Sequence, residues 1–230
     1  MKKRIIVISL GGSLIVPSGM MDIAFLERFK NTLRKHYRNW KFVVVCGGGS
    51  IARKYIEVLR KEGKSAYEQS KAGIRATRMN SLFLVQFFGK EANDTLPRNM
   101  EEVKNNLAKN RVVFCGALRF DSKSTSDGTA AKLAHLLNAD FINMTNVKGL
   151  YTANPLTDKK AKFIPYQTWK QFESRALKIK FHAGQHFVLD QNASVMIRKN
   201  RIKTYIIGKD LRNLDKILNG GKFVGTMIFK

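Results

Sequence analysis

The sequence predicts an α/β fold, a mainly parallel sheet covered by helices on both faces. Three observations predict it. Strand-like and helix-like segments alternate along the chain, the order that βα units produce. The strands read as near-continuous apolar runs, such as Ile5-Ile6-Val7-Ile8 and Phe42-Val43-Val44-Val45, as expected where both faces are buried. Two of them run straight into a glycine turn and then a helix: Leu10-Gly11-Gly12-Ser13 and Cys46-Gly47-Gly48-Gly49-Ser50.

Residues 4–10 form the first expected strand. Ile23, Leu26, Phe29 and Leu33 recur at helical spacing and place a helix over residues 22–37. Residues 41–46 are a buried strand, and residues 50–60 a helix with Ser50 as its cap. Ile74, Leu82, Leu84, Val85 and Phe88 mark one long helix over residues 67–88. A helix near 100–109, a strand at 111–115, a helix over 127–137 and a strand at 141–145 follow. The last third supplies helices near 166–177 and 192–200, a strand at 204–207, a helix near 211–218 and a closing strand at 226–229. No repeat, low-complexity run or linker divides the chain, so its 230 residues suit one core with two lobes.

Composition narrows the function. The hydrophobic share of 44% is that of a globular protein, and no apolar run approaches the roughly 20 residues that span a bilayer. Met1-Lys2-Lys3-Arg4 precedes an apolar segment too short for a secretion signal, which feeds directly into Gly11-Gly12 without a cleavage region. It reads as the first strand of a cytoplasmic protein. Cys46 and Cys115 each end a strand before a glycine and read as buried small hydrophobes rather than nucleophiles, metal ligands or a disulfide. The balance of 42 basic to 17 acidic residues leaves a net charge of +25, which suits nucleic acid or an anionic substrate. The excess is spread among groups such as Arg34, Lys35, Arg38; Lys159, Lys160, Lys162; and Arg198, Lys199, Arg201, Lys203, with no basic arm or tail. A nucleic-acid role is therefore not the favoured reading.

In parallel α/β folds ligands sit beyond the C-terminal ends of the strands. Both glycine turns lie there, as do Gly116 and Thr145-Asn146. Glycine lets backbone N–H groups approach a ligand closely, and a helix N-terminus adds partial positive charge, so each turn suits a phosphate. Two such turns, the second followed by Arg53, suggest a site for two phosphorylated ligands. The P-loop and dinucleotide fingerprints are both absent. Ser124-Thr125-Ser126-Asp127-Gly128-Thr129 opens a helix with more hydroxyls than one cap needs, which suits hydrogen bonds to a ligand. Asp127 has two roles open to it: orienting a lysine or arginine, or holding Mg²⁺ directly or through water. Tyr151 lies in the loop after Thr145-Asn146-Val147-Lys148-Gly149, either as a packed loop-tip ring or as a surface for adenine. His182 and His186 have the i,i+4 spacing of a helical metal pair, but no catalytic glutamate lies between them, Gly184 weakens the helix and no third ligand is near, so no metal site is assigned. His36 and His135 read as ordinary surface residues.

The order GGS turn, GGGSIARKY, GIRATRMN, STSDGTAA, TNVKGLYTANP and VLDQNAS resembles the amino-acid-kinase superfamily over nearly the whole chain, nearest its archaeal-type uridylate kinases. The resemblance implies a three-layer αβα sandwich, transfer of the ATP γ-phosphoryl group to UMP in pyrimidine nucleotide synthesis, Mg²⁺ dependence, no membrane partner and a homo-oligomer, usually a hexamer. It places the acceptor in the half over about residues 1–120 and ATP in the half over about 121–230. By motif, Gly12, Ser13 and Gly49 line the ATP phosphates, Gly48 holds the UMP phosphate and Arg53 lies between them. Ser124, Thr125 and Ser126 face UMP, as does Ser70; Thr145, Tyr151 and Asn154 face adenosine. Arg53 and Asp127 carry catalysis, the first stabilising the transferring group and the second organising the centre.

The chain departs from the family pattern at several points. Many members carry lysine where Ser9 stands, and aspartates where Ser70, Lys148 and Asn154 stand; the usual DPLAA element reads Asp190-Gln191-Asn192-Ala193-Ser194. Serine in place of a ribose-binding carboxylate weakens that contact by about tenfold, the difference between a charged and a neutral hydrogen bond. Two other readings accompany the resemblance: a kinase for another small phosphorylated acceptor such as isopentenyl phosphate, and a non-catalytic relative that binds nucleotide or RNA. The isopentenyl phosphate kinases normally carry histidine where Cys46 stands and another in the following helix, and this chain has neither.

Overall fold

Period-two alternation in the central strands decides the layering. The computed structural model describes residues 3–118, 125–178 and 189–230. In β1 (Arg4–Leu10), Ile6, Ile8 and Leu10 enter one hydrophobic cluster while Val7 enters another; in β2 (Trp40–Cys46), Phe42, Val44 and Cys46 divide from Val43 and Val45 in the same way. Side chains alternate across a strand, so both faces of the sheet are buried and each needs its own layer of helices.

Between β1 and β2 lie the short α1 (Gly12–Ile15) and α2 (Ile23–His36). After β2 come α3 (Gly49–Lys61), the long α4 (Ala66–Phe88), a 3₁₀ turn at Gly89–Glu91, α5 (Met100–Lys109) and β3 (Val112–Cys115). The second half runs α6 (Ser126–Leu136), β4 (Asp140–Met144), β5 (Leu150–Tyr151), β6 (Phe163–Ile164), β7 (Tyr166–Gln167), α7 (Trp169–Leu177), α8 (Gln191–Lys199), β8 (Thr204–Ile207), α9 (Leu211–Leu218) and β9 (Thr226–Ile228). The seven-stranded sheet has the order β3-β2-β1-β4-β8-β9-β7. From β3 to β8 neighbouring strands are parallel; β9 reverses against β8 and carries β7 beside it. The sheet is therefore mainly parallel, as expected. Its order steps outward from β1 to β2 and later returns to place β4 on the other side of β1, so the switch point lies between β1 and β4. Ligands bind at such a point, beyond the strand ends.

One helical layer contributes Phe25, Leu26, Phe29 and Leu33 from α2, Leu84 and Phe88 from α4, and Leu214 from α9. The other contributes Val103 from α5, Ala130, Ala131 and Leu133 from α6, Phe172 from α7 and Ile197 from α8. Each fully buried side chain of this size stabilises the fold by about 1.5–3 kcal/mol. Cys46 and Cys115 are both buried, and burial pushes the Cys46 thiol up to about 12, so both behave as small hydrophobes.

Several local expectations are corrected. Ser50 does not cap its helix: Gly48 holds the N-cap position, and Ser50 Oγ instead donates to Val16 O at 3.0 Å and accepts from Gly19 N at 2.9 Å. Residues 166–167 are strand rather than helix; the helix starts at Trp169 because Thr168 and Gln171 form a reciprocal capping box. The β5–β6 hairpin and the one-turn α1 carry too few residues to show periodicity in sequence. His36 is 7% exposed, not a surface residue, and its Nε2 lies 2.8 Å from Asp215 Oδ1 of α9; His135 is exposed as expected. No helix among the described residues is long and apolar enough to cross a membrane.

Candidate active site

Three strand ends meet at the switch point. The ladder continues one residue past each: Gly47 N donates to Leu10 O at 2.9 Å, Gly11 N to Met144 O at 2.9 Å and Thr145 N to Ile207 O at 2.9 Å. The first two glycine turns and Thr145 are thereby held side by side. The two turns then pack backbone against backbone. A Cβ on Gly12 would lie 1.9 Å from Gly49 N, and one on Gly47 would lie 2.4 Å from Gly12 N. Gly49 also has φ +66°, where other L residues are strained. No side chain can separate the N-termini of α1 and α3, and neither helix has a side-chain cap. Two first-turn amides are used within the protein, Leu14 N by Gly11 O at 2.8 Å and Ser50 N by Val16 O at 3.2 Å, while those of Gly12, Ser13 and Gly49 have no hydrogen-bond partner among the described residues, so partial positive charge converges there.

Around this centre the sequence-derived residues take definite positions. Ser13 lies half-buried in α1. Arg53 is half-buried at the start of the second turn of α3 and has no hydrogen-bond or ion-pair partner among the described residues. Gly48 faces α4: a Cβ there would meet Ala52 Cβ at 2.4 Å and Gly73 O at 3.5 Å. Ser70 lies in α4 one turn before Gly73, on the segment that approaches Gly48. Ser124 lies outside the described residues, as do His182 and His186.

The start of α6 supplies the carboxylate. Ser9, buried on β1, points to the α6 side of the sheet, and its Oγ donates to Asp127 Oδ1 at 2.6 Å. Burial, reinforced by the charge of Asp190, raises the Asp127 carboxyl to about 7. Ser126 is half-buried as the first residue of α6. Thr125 is its N-cap, with Oγ1 accepting from Asp127 N at 3.2 Å and donating to Asp190 Oδ2 at 2.8 Å. Asp190, 2% exposed, also accepts from Thr125 N at 2.7 Å and Gly128 N at 3.3 Å, while its Oδ1 caps α8 by accepting from Ala193 N at 2.7 Å. One buried carboxylate thus joins the N-termini of α6 and α8.

Beyond β4, Thr145 Oγ1 donates to Asn146 Oδ1 at 3.3 Å. Tyr151 is half-buried on β5, its ring 5.4 Å from that of Phe163 and tilted 62° to it. Asn154 is exposed and holds a turn, its Oδ1 accepting from Leu156 N at 3.0 Å and its O from Asp158 N at 2.9 Å. The arrangement separates Tyr151 and Asn154, at the hairpin, from the glycine centre, consistent with one long ligand reaching from phosphates to a ring.

Sequence reasoning quoted three structural participants without assigning them roles. Asp190 was readable as an N-cap residue ahead of a helix. Asn80, buried in α4, donates to Gly47 O at 2.8 Å and fixes the second turn; a poor helix former inside a helix is its signal. Arg78 is half-buried, its backbone N lies 2.8 Å from where a Cβ on Gly116 would stand, and it has no partner among the described residues.

Comparison with known proteins agrees with this geometry. The model of the amino acid kinase family matches residues 4–208. A protein of Archaeoglobus fulgidus named uridylate kinase is 34% identical over 224 residues, 97% of this chain and 99% of its own length. One of Thermococcus kodakarensis with the same name is 31% identical over 225 residues, 97% and 98% of the two chains. The crystal structure of the Archaeoglobus fulgidus uridylate kinase superposes with a TM-score of 0.82 at 32% identity over 97% of this chain and 99% of that one. UMP kinase from Bacillus anthracis, at 20% identity and a TM-score of 0.78 over 98% and 96% of the chains, shares the fold. With a three-layer αβα sheet, two fused glycine turns at its switch point and relatives that match it from end to end, the chain belongs to the amino acid kinase family.

Proposed function

We propose that the protein is a uridylate kinase that transfers the γ-phosphoryl group of ATP to UMP, giving UDP and ADP. The observation that carries this reading is the backbone-to-backbone packing of the two glycine turns, each opening an uncapped helix. Two phosphorylated ligands drawn to these N-termini meet phosphate to phosphate. Phosphoryl transfer passes through a loose transition state and needs positioning and charge stabilisation rather than a protein nucleophile. Gly12, Ser13 and Gly49 cradle the ATP phosphates and Gly48 the UMP phosphate. Arg53, half-buried and without a partner among the described residues, supplies the fixed positive charge between them. Ser70, Ser124 and Ser126 face UMP. The Thr125 hydroxyl is engaged by Asp190, so Thr125 serves the acceptor by fixing Ser126 and Asp127. Thr145, Tyr151 and Asn154 take the adenosine side. The acceptor belongs to the half over about residues 1–120 and ATP to that over about 121–230, with both turns shared at their junction.

Mg²⁺ fits the donor set as an ion that arrives on ATP. Among the described residues no cluster of three His, Cys, Asp or Glu offers a self-sufficient site. Mg²⁺ keeps most of its water and takes one or two carboxylates beside phosphate oxygens, and Asp127, held by Ser9 two residues before the first turn, is the carboxylate that would take that part. When bound, the ion neutralises phosphate charge. We assign the enzyme to the cytoplasm, with ATP and UMP, and to a homo-oligomer, hexameric as in the resemblance.

The test is phosphoryl transfer from labelled Mg-ATP to UMP, CMP, AMP and isopentenyl phosphate offered separately. Selective turnover of UMP is expected; transfer to none by folded protein would favour a non-catalytic relative. Arg53→Ala is expected to lower kcat on the order of 10³-fold with an unchanged circular dichroism spectrum. Retained turnover in that variant would remove Arg53 from the reaction.

A further inference from the structure

Cations that are scattered in sequence are gathered by the fold at the edge of the sheet opposite the glycine turns. The turn from α8 into β8 carries Arg198, Lys199 and Arg201, with Ile202 N closing onto Ile197 O at 2.9 Å. Strand β9 runs antiparallel to β8, pairing Ile228 with Thr204, so Lys230 comes to the same edge. Lys170, in the first turn of α7, completes the group. These five cations line a groove of about 520 Å³. Its one acid, Glu173, is already paired with Arg198 at 2.6 Å. Lys170, Lys199, Arg201 and Lys230 are exposed and have no carboxylate partner among the described residues.

An aromatic wall lies among these charges. Trp169 lines the groove half-buried, its Nε1 donating to Ile202 O at 2.9 Å and its ring meeting Phe229 at 5.7 Å and 64°. The ring is thus fixed in place. Beyond it Lys203 stands 5.3 Å over the Tyr205 ring and Arg4 stands 4.1 Å over the Trp40 ring at the start of β1, with Asp140 of the intervening β4 as the one acid facing both. Lys41, whose Nζ donates to Leu107 O and Ala108 O, and Arg111 stand at the starts of β2 and β3, where burial first and the charge of Arg111 second lower the Lys3 and Lys41 ammonium groups. Adjacent strands lie about 4.8 Å apart, so the row spans roughly 30 Å.

We propose that this groove, with the basic edge leading from it, binds single-stranded nucleic acid at a site separate from the kinase centre. A cationic track binds the phosphodiester backbone, and a fixed ring among the cations gives a base its stacking surface. An acidic protein segment would satisfy the charges but has no use for the ring. The groove lies at the N-terminal edge of the parallel strands and the glycine turns at their C-terminal ends, so both sites can be filled at once.

The test is fluorescence anisotropy of a labelled single-stranded RNA of about 12 nucleotides, of mixed sequence, with the full chain saturated in UMP and ATP. Binding is expected to persist under saturation and to weaken with salt at a log–log slope of roughly −3, the value for four phosphate contacts on a single strand. Lys170→Glu with Lys230→Glu is expected to weaken it at least tenfold while kinase turnover stays unchanged. Lys61→Glu with Lys64→Glu, the same charge change beyond the other end of the sheet, is expected to stay within about twofold; the ~0.7 slope per contact makes the two separable. Displacement by UMP and ATP, equal losses in the two double variants, or equal competition by poly-glutamate per unit charge would each overturn the proposal.

Discussion

Asp127 is a carboxylate that the fold holds protonated close to neutrality. Its carboxyl titrates at about 7 against an ordinary 3.8 because it is buried and faces Asp190, with only the Ser9 hydroxyl and the Thr125 cap to favour its charge. A lysine in place of Ser9 would hold it ionised. The folded state therefore keeps a proton that the unfolded chain releases. The stability linked to this group is complete below about pH 4 and is lost as pH rises through about 7. In EDTA and without nucleotide, the melting temperature is expected to fall between pH 5 and 8. Asp127→Asn removes the titration, so it is expected to be more stable than the wild type at pH 8, by up to roughly 4 kcal/mol, and to match it only below about pH 4. A wild-type melting curve indifferent to pH would show that Asp127 is already ionised in the folded protein. Mg²⁺ held beside Asp127 on ATP, though the complex is a net anion, would favour the ionised carboxylate and is expected to flatten the wild-type profile.

At the scale of elements the arrangement depends on helix starts. Asp190 receives N–H or O–H donors from Thr125, Gly128 and Ala193, so its removal leaves α6 and α8 without a shared anchor. Each hydrogen bond to a charged acceptor contributes about 1.5–3 kcal/mol. Asp190→Ala is expected to cost at least about 3 kcal/mol, a fall of roughly 6–12 °C in melting temperature for a chain of this size, and to raise the KM for UMP through displaced Ser126. Asp190→Asn keeps one acceptor oxygen and should recover part of both; a silent Asp190→Ala would mean that α6 is anchored elsewhere. The same elements show what could be read from the sequence. Strands β1 and β2 and helices α5 and α9 were legible because apolar runs and helical spacing are local signals. Ser50 was misread because a serine after glycines resembles a cap, while its true partners, Val16 and Gly19, belong to another loop. His36 was misread because its partner Asp215 lies 179 positions away. The glycine turns were legible as phosphate-binding turns, yet their mutual packing is a tertiary fact that only the register of β1 against β2 creates.

At the scale of the whole molecule, exposed apolar side chains on two packed helices and an excess of charge oppose each other. Tyr55 and Val58 on α3 and Tyr67, Met79 and Leu82 on α4 are 40–67% exposed, on two helices that pack together. A grouping of this kind is a protein interface more often than bare surface. A second copy brings its own +25 charge, and the repulsion works against the contact. Salt screens that repulsion, with a Debye length of about 10 Å at 0.1 M. Assembly measured by light scattering is therefore expected to strengthen between roughly 0.05 and 0.5 M salt, the reverse of nucleic-acid binding at the opposite edge. Val58→Asp with Met79→Lys is expected to shift the protein to monomer at every salt concentration while leaving its circular dichroism unchanged. Assembly that weakens with salt would mean that ion pairs, not these apolar side chains, join the copies. If the double variant stayed assembled, the contact would lie elsewhere on the surface.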